Sequence, residues 1–347
     1  MTRYTNLHRF AVFTACCTFL LLIAGGLVTS TDSGLSVPDW PNTYGHFMFA
    51  YPLDQMVGGI FYEHSHRMIA SFVGFLTVLL AIWLWKREDR VWLRNLGFIA
   101  LAAVIVQGIL GGLTVLFFLP TAISVSHATL AQTFFAVVAS IALFTSSWWR
   151  SARPSDANSA AARRLLRVGM IATGAIYVQL ILGAVMRHMD AGLAVPDLPL
   201  AYGQLFPSLS PGALEGYNHQ LIQSNIRIWA DGAVTGSQIL VHMMHRFWAI
   251  VVSVLVTWLA IRLVRSSALD VRLSRLGVTL LALLGLQITL GVLTVLSVKA
   301  IDITTAHVAN GALLLVTSVL TTLHAARISG AGFRTSSNAI STREVTA

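Results

Sequence analysis

Charged side chains are scarce in this chain: Asp, Glu, Lys and Arg make up 11% of its 347 residues, whereas 56% are hydrophobic. A soluble domain of this length needs far more charge to cover its surface, so the composition excludes that class and predicts an integral membrane protein. The formal net charge is +9. Because the basic residues lie in short clusters between long apolar runs, as in cytoplasmic loops of membrane proteins, we predict no nucleic-acid partner.

Cysteine is nearly absent. The two cysteines, Cys16 and Cys17, are adjacent within the first apolar run. Neighbouring residues on a helix do not face each other, so we predict no structural disulfide. The run itself is longer than the apolar core of a signal peptide and no small-residue cleavage pattern follows it, so it is interpreted as an uncleaved first helix.

Crossing a bilayer takes about 20 mostly apolar residues. Eight segments meet this requirement, namely 10–30, 64–85, 95–117, 122–146, 165–187, 240–264, 273–296 and 302–325. Most of the 23 Lys and Arg residues fall in alternate loops and near the two ends. This bias places both termini in the cytoplasm and the long loops 31–63 and 188–239 outside, where we expect them to rest on the bundle as caps.

An internal repeat divides the chain. GLSVPDWPNTYG at 34–45 recurs as GLAVPDLPLAYG at 192–203, and QGILGGLTVL at 107–116 recurs as QITLGVLTVL at 287–296. Each copy has four segments, an even number, so the sequence predicts two tandem four-helix bundles related by a pseudo-two-fold axis along the membrane normal. The expected units are an N-terminal bundle 1–150, a cytoplasmic linker 151–164, a C-terminal bundle 165–326 and a cytoplasmic tail 327–347.

Four of the 11 histidines obey this repeat. His66 corresponds to His245, His127 corresponds to His307, and each lies near the outer end of an even-numbered segment. Two imidazoles at equal depth on different helices can bind a haem iron from opposite faces. Structural zinc needs four ligands, so two histidines suit it poorly. We therefore predict four haem iron ligands; the alternative is solvated or hydrogen-bonded histidines near the interface.

An arginine follows one histidine of each pair. Arg67 and Arg246 are candidates for binding haem propionates, which arginine can contact through two hydrogen bonds. The alternative is that both side chains extend to the lipid headgroups.

A carboxylate distinguishes the two copies. Glu63 precedes His66 by three residues and shares its helical face, whereas His242 takes the corresponding place before His245. A carboxylate beside a haem could accept protons or stabilise positive charge, so the N-terminal copy is interpreted as catalytic and the C-terminal copy as the cofactor site. The alternative is a glutamate hydrogen-bonded to a loop. His64 points off this face and is predicted to be at the surface.

Other residues receive structural interpretations or none. Asp39 and Asp197, in the repeated loop, are predicted to cap turns. Small residues within the helices allow close packing of helices or of a porphyrin, and these are Gly25, Gly26, Gly111, Gly183 and Gly291. The histidines to which we assign no role are His8, His46, His188, His219 and His324.

The combination resembles the heme A synthase family over residues 5–323. The resemblance is carried by the E-x-x-H-R pattern of Glu63, His66 and Arg67, by the GLSVPDWP loop, and by the QGILGGLTVL stretch followed by His127. It implies oxidation of the C8 methyl of heme o to a formyl group through hydroxylated intermediates, with oxygen from water, giving the heme a of terminal oxidases.

The resemblance also implies the roles of the sites. Heme o, the substrate, is expected between His66 and His127, with Glu63 as the catalytic residue. Haem b, the cofactor, is expected between His245 and His307. Some members of the family carry cysteine pairs in the outer loops; Val37 and Val195 stand in those contexts here, which places the chain in the branch without them.

The expected location is the bacterial cell (inner) membrane. The expected partners are membrane lipid, the substrate heme o, and heme o synthase, the protohaem farnesyltransferase, as a candidate docking partner. The electron acceptor has no sequence signature. A diheme electron carrier of cytochrome b type is the first rival, because it also explains the four histidines but not the unmatched Glu63. A haem exporter or chaperone is the second rival, and a transporter for an unrelated solute leaves the histidine symmetry unexplained.

Overall fold

The computed structural model describes residues 2–152, 159–226 and 232–330. Residues 153–158 of the expected linker and 331–347 of the expected tail lie outside these ranges. The described chain forms ten helices, which are α1 (Thr2–Ser30), α2 (Gly59–Arg87), α3 (Val91–Leu116), α4 (Thr121–Thr145), α5 (Ser147–Ser151), α6 (Ser159–His188), α7 (Pro211–Gln223), α8 (Gly236–Val264), α9 (Val271–Leu296) and α10 (Ile301–Ser329).

Eight of these helices are long and apolar enough to cross a membrane, and they coincide with the eight predicted segments. The chain is therefore an all-helical, multi-pass membrane protein. Several helices begin before their apolar segment, as α6 does at Ser159 and α8 at Gly236. A helix can continue past the apolar core of the bilayer because its polar side chains are then solvated at the interface.

Local hydrogen bonds determine where two of the helices start. The Thr235 hydroxyl accepts from the Gln238 N–H, and the Gln238 side chain accepts from the Thr235 N–H, so α8 begins with a capping box. At the start of α9, the Asp270 carboxylate accepts from the Arg272 N–H at 2.8 Å. The last turn of α10 ends at Gly330, whose φ of 72° is left-handed.

The long helices pack as two rings. In the first ring α1 contacts α2, α2 contacts α3, α3 contacts α4, and α4 contacts α1. In the second, α6, α8, α9 and α10 follow one another in the same way, and the rings meet where α1 and α4 pack against α10 and α4 packs against α6. This packing supports the expected pair of four-helix units; their pseudo-two-fold axis and boundaries stay predictions.

Apolar side chains fill the arginine-rich end of each ring. In the first ring this core includes Leu84, Leu93 and Ile141, and in the second it includes Leu259 and Leu273, all fully buried. The four repeated histidines stand near the other end of each ring, within the first turns of α2, α4, α8 and α10.

The repeated outer loop has the same hydrogen-bonded turn in both copies. The Asp39 carboxylate accepts from the N–H groups of Tyr44 (2.7 Å) and Gly45 (2.8 Å). Burial alone would raise the pKa of Asp39, but these hydrogen bonds and the charge of Arg67 hold it below its ordinary value. In the second copy Asp197 accepts in the same way, at 2.8 and 3.0 Å. The predicted turn-capping role of both aspartates is confirmed.

The outer loops lie against the helices, as expected of caps. Val37 in the first loop is fully buried. In the second loop, Tyr217 and Leu221 of α7 pack in one cluster with Ile239 and Met243 of α8. The loops thus cover the helix ends that carry the histidines.

Candidate functional site

The structure brings the four repeated histidines together in the predicted pairs. His66 on α2 and His127 on α4 stand on opposite helices of the first ring, near enough for their charges to interact. His245 on α8 and His307 on α10 have the same relationship in the second ring. Each pair therefore faces across the interior of a four-helix ring.

A glycine on the preceding long helix lies against each histidine ring. A methyl group at these glycines would stand 3.1–3.2 Å from the ring carbon Cε1, which is tighter than ordinary van der Waals contact. The four pairs are Gly25 with His66, Gly111 with His127, Gly183 with His245, and Gly291 with His307. The expectation of close packing at these glycines is confirmed, and its partner is an imidazole. Gly26 instead faces Thr305 at the junction of the rings.

Glutamine side chains approach the imidazole rings of three of the four repeated histidines. The amide nitrogen of Gln107 lies 3.4 Å from Nε2 of His127, and that of Gln287 lies 3.3 Å from Nε2 of His307. Both glutamines open the repeated stretch, so the repeat could have identified them.

Gln179 is the third such glutamine. Its amide nitrogen lies 3.1 Å from Nε2 of His245 and donates to the His245 carbonyl at 3.0 Å. The corresponding residue of the first copy is Leu21, and Nδ1 of His66 has no hydrogen-bond partner among the described residues. The repeat therefore carried no signal for Gln179.

The buried donors and acceptors of these sites fit an axially ligated haem. Nδ1 of His66, His127 and His307 is buried without a hydrogen-bond partner in the described part of the chain. A histidine that binds a haem iron gives one ring nitrogen to the metal, so a buried ring nitrogen without a partner at three of the four histidines suits this group. No group of three or more His, Cys, Asp or Glu side chains gathers as a metal site within the described ranges.

Glu63 and Arg67 hold the same residue of the outer loop. Oε2 of Glu63 accepts from the Val37 N–H at 2.7 Å, and Arg67 donates to the Val37 carbonyl at 2.8 Å. Arg67 also donates to Oε1 of Glu63 at 2.6 Å and to the Asp39 carbonyl at 2.7 Å. The loop contact considered as the alternative for Glu63 is thus present. The catalytic role of Glu63 stays a prediction.

Only the arginine contact is repeated in the second copy. Arg246 donates to the carbonyls of Val195 (2.9 Å) and Leu200 (3.1 Å), while His242 places Nδ1 2.8 Å from the Ala191 carbonyl. Both arginines bind loop carbonyls, and Arg67 is only 10% exposed, so extension to lipid headgroups does not describe it. Nε of Arg246 is buried without a partner among the described residues. Propionate binding by either arginine stays a prediction.

His64 is not at the surface, and that prediction is wrong. Its side chain is buried, Nδ1 lies 3.1 Å from the Thr43 hydroxyl, and the ring packs 5.3 Å from Tyr51. The reason is the outer loop, whose Thr43 and Tyr51 cover the side of α2 that carries His64. The spacing of residues within one helix does not predict which of them a distant loop will cover.

Two unassigned histidines also have defined places. His324 stacks on Trp148 at 3.7 Å and places Nε2 3.1 Å from Asp270, which ties α10 to the start of α9. His188 ends α6 and accepts, through its carbonyl, a hydrogen bond from Thr121 of the first ring. Neither belongs to a repeated pair.

Known proteins are similar to this chain over most of its length. The family model COX15-CtaA, described as cytochrome oxidase assembly protein, matches residues 8–319. The heme A synthase of Shouchella clausii is 32% identical over 215 residues, which are 61% of this chain and 69% of the relative. The heme A synthase of Shewanella oneidensis is 26% identical over 87% of this chain and 91% of its own. That of Rhodopseudomonas palustris is 28% identical over 87% and 85%.

Proposed function

The chain belongs to the COX15-CtaA family of cytochrome oxidase assembly proteins, and from this premise we propose that it is a heme A synthase, a membrane enzyme that acts on heme o. The observation that carries the proposal is the pair of histidine sites, one in each ring, with a buried glutamate beside only one of them. All four histidines lie within the 8–319 match.

The proposed reaction converts the C8 methyl group of heme o to a formyl group. The methyl carbon loses two hydrogens and gains one oxygen from water, so four protons and four electrons leave for each heme a formed. The proposed reaction passes through hydroxylated intermediates. An electron acceptor outside the chain is required.

We assign heme o to the N-terminal ring, with His66 and His127 as its iron ligands. Haem b is assigned to His245 and His307, where it supplies a one-electron redox centre. The assignment is supported by the asymmetry of the copies, since Glu63 has no carboxylate counterpart before His245.

Glu63 is the proposed proton acceptor or stabiliser of positive charge at the oxidised carbon. It is 3% exposed, one helical turn from His66, and electrostatic effects are strong in such a water-poor environment. Its bonds to the Val37 N–H and to Arg67 fix the carboxylate in one orientation. A fixed carboxylate can act on a methyl group without reorganising during the reaction.

The proposed orientation has both termini in the cytoplasm, because arginines crowd the loops on that face. Fusion of a cytoplasm-active reporter and of a periplasm-active reporter to the C-terminus tests it; only the first should be active. A further proposal is that heme o arrives from heme o synthase, which cross-linking in membranes containing both proteins would test.

The decisive experiment is extraction and chromatography of haems from cells that make heme o and express the intact chain, Glu63→Gln or Glu88→Gln. Glu88 is the matched control, a buried glutamate that also pairs with arginine but lies at the opposite end of the first ring. Heme a or its hydroxylated precursor is expected with the intact chain and the control, and about 100-fold less with Glu63→Gln.

Two results would contradict the proposal. If all three samples contain haem b and unchanged heme o, the chain is better described as a diheme electron carrier. If Glu63→Gln makes as much heme a as the control, the chain is a synthase in which Glu63 only fixes the loop.

A further inference from the structure

A partly buried arginine connects the two rings. Arg187, in the last turn of α6, donates from Nη2 to the Gly26 carbonyl at 3.0 Å and to the Ser30 hydroxyl at 2.9 Å, both on α1. The Thr305 hydroxyl of α10 donates to the same Ser30 oxygen at 3.1 Å. Three helices from both rings therefore meet around one guanidinium.

This guanidinium lies between the two histidine sites. Its acceptor Gly26 directly follows Gly25, the glycine that faces His66. Its charge is within electrostatic range of the His307 ring, and it is also close to His188, which in turn is close to His127. One cation is thus within electrostatic range of His307 in the second ring, and it binds the residue that follows Gly25 in the first.

The arginine is not a product of the duplication. The corresponding residue of the first copy is Thr29, whose hydroxyl donates to the Gly25 carbonyl of its own helix at 3.1 Å. A basic residue at a helix C-terminus is favourable in itself. However, the hydrogen bonds of Arg187 go to another helix, which the dipole of α6 does not explain.

The positive charge of Arg187 is incompletely compensated by the protein. Among the described residues no carboxylate lies within ion-pair distance of it, although Asp32 is within electrostatic range. Nε and Nη1 have no hydrogen-bond partner in the described ranges. A partly buried cation without a close counter-charge is costly, and the haem propionates are carboxylates.

We propose that Arg187 is a haem-binding residue shared by the two sites: Nε and Nη1 bind a propionate of the haem in the C-terminal ring, while Nη2 holds α1 behind His66. This inference rests on the proposed function for the presence of haem. It assigns to Arg187 a part of the propionate binding that the sequence pattern gave to Arg67 and Arg246. It also makes the geometry at His66 depend on the occupied C-terminal site.

The test uses the full chain purified with its haems, as the intact protein and as Arg187→Gln, Arg187→Lys and Arg94→Gln. The last is the matched control, since it removes one charge from the arginine-rich end of α3. The readouts are the reduction potential of haem b, the haem b content, and the optical spectrum after addition of heme o.

Arg187→Gln should lower the haem b potential, because a positive charge beside a haem stabilises the reduced form, and should weaken haem b binding about tenfold. It should also reduce the low-spin fraction of added heme o. Arg187→Lys should restore part of the potential but not the binding geometry, and Arg94→Gln should match the intact protein.

Unchanged potential and haem b content in Arg187→Gln would overturn the inference. If that variant does not accumulate, Arg187→Lys decides, since a spectrum and potential identical to the intact protein would equally overturn it. An intact chain that retains haem b but makes no heme a would refute the proposed reaction alone, because the Arg187 readouts do not depend on turnover.

Discussion

Gly25 lies so close to His66 that a methyl group at residue 25 would stand 3.1 Å from the ring carbon Cε1. The glycine therefore sets how far the imidazole can turn toward α1. The same relationship holds at the other three histidines, so a glycine on the neighbouring helix packs against the imidazole ring of every histidine in both sites. Axial ligation needs a precise ring position, so small displacements at these glycines should be visible in the haem spectrum.

The first prediction concerns the N-terminal site. Gly111→Ala should displace His127, because the added methyl would lie 3.2 Å from Cε1. We expect about tenfold weaker binding of heme o and a matching loss of heme a, with haem b retained. The control is Gly108→Ala on the same helix, where a methyl group meets nothing within 4 Å. Equal effects of the two substitutions on heme o binding would contradict a role of Gly111 in positioning the histidine.

The second prediction is the converse for the C-terminal site. Gly291→Ala should displace His307, with a methyl 3.1 Å from Cε1, whereas Gly285→Ala on the same helix is in open space. The optical spectrum of the purified protein should show loss of low-spin haem b in Gly291→Ala only. Loss of heme o binding with intact haem b in that variant would mean that the substrate and cofactor assignments are reversed.

The third prediction concerns the contact between Glu63 and Arg67. Arg67→Met leaves a buried carboxylate without its cation, so it should lower the free energy of unfolding by about 3 kcal/mol. Arg246→Met removes the corresponding arginine, whose described partners are loop carbonyls, and should cost less. Thermal unfolding in detergent measures both. A larger effect of Arg246→Met would show that the loop contacts, rather than the ion pair, dominate.

The sequence was sufficient where the repeat or the apolar pattern carried the information. The eight spans follow from apolar length, and Asp39 with Asp197 follows from a loop whose local hydrogen bonds close within six residues. His64 was placed wrongly and Arg187 was not singled out, because both depend on segments distant in the chain. His64 is covered by Thr43 of the outer loop, and Arg187 binds a helix more than 150 residues away. Neither contact has a counterpart in the other copy to reveal it.

The last prediction is a pH dependence at the arginine-rich end of the first ring. Glu88, between α2 and α3, accepts from Arg90 at 2.8 Å and from Arg150 at 3.0 Å. Burial would raise the pKa of Glu88, but the hydrogen bonds and charges of these arginines outweigh it and hold the pKa below its ordinary value.

Because the pKa of Glu88 is lower in the folded state, its contribution to stability is present above the unfolded value of about 4.3 and is lost as pH falls through the folded value. The midpoint of thermal unfolding should therefore fall on acidification below about pH 4.3 more steeply in the intact chain than in Glu88→Gln, which should already be less stable at neutral pH. Asp39 and Asp270 also have lowered pKa values and contribute equally to both proteins, so the difference between the two curves isolates Glu88. Parallel curves would mean that the pKa of Glu88 is the same in the folded and unfolded states. The two arginines would then pair with Glu88 without stabilising the fold.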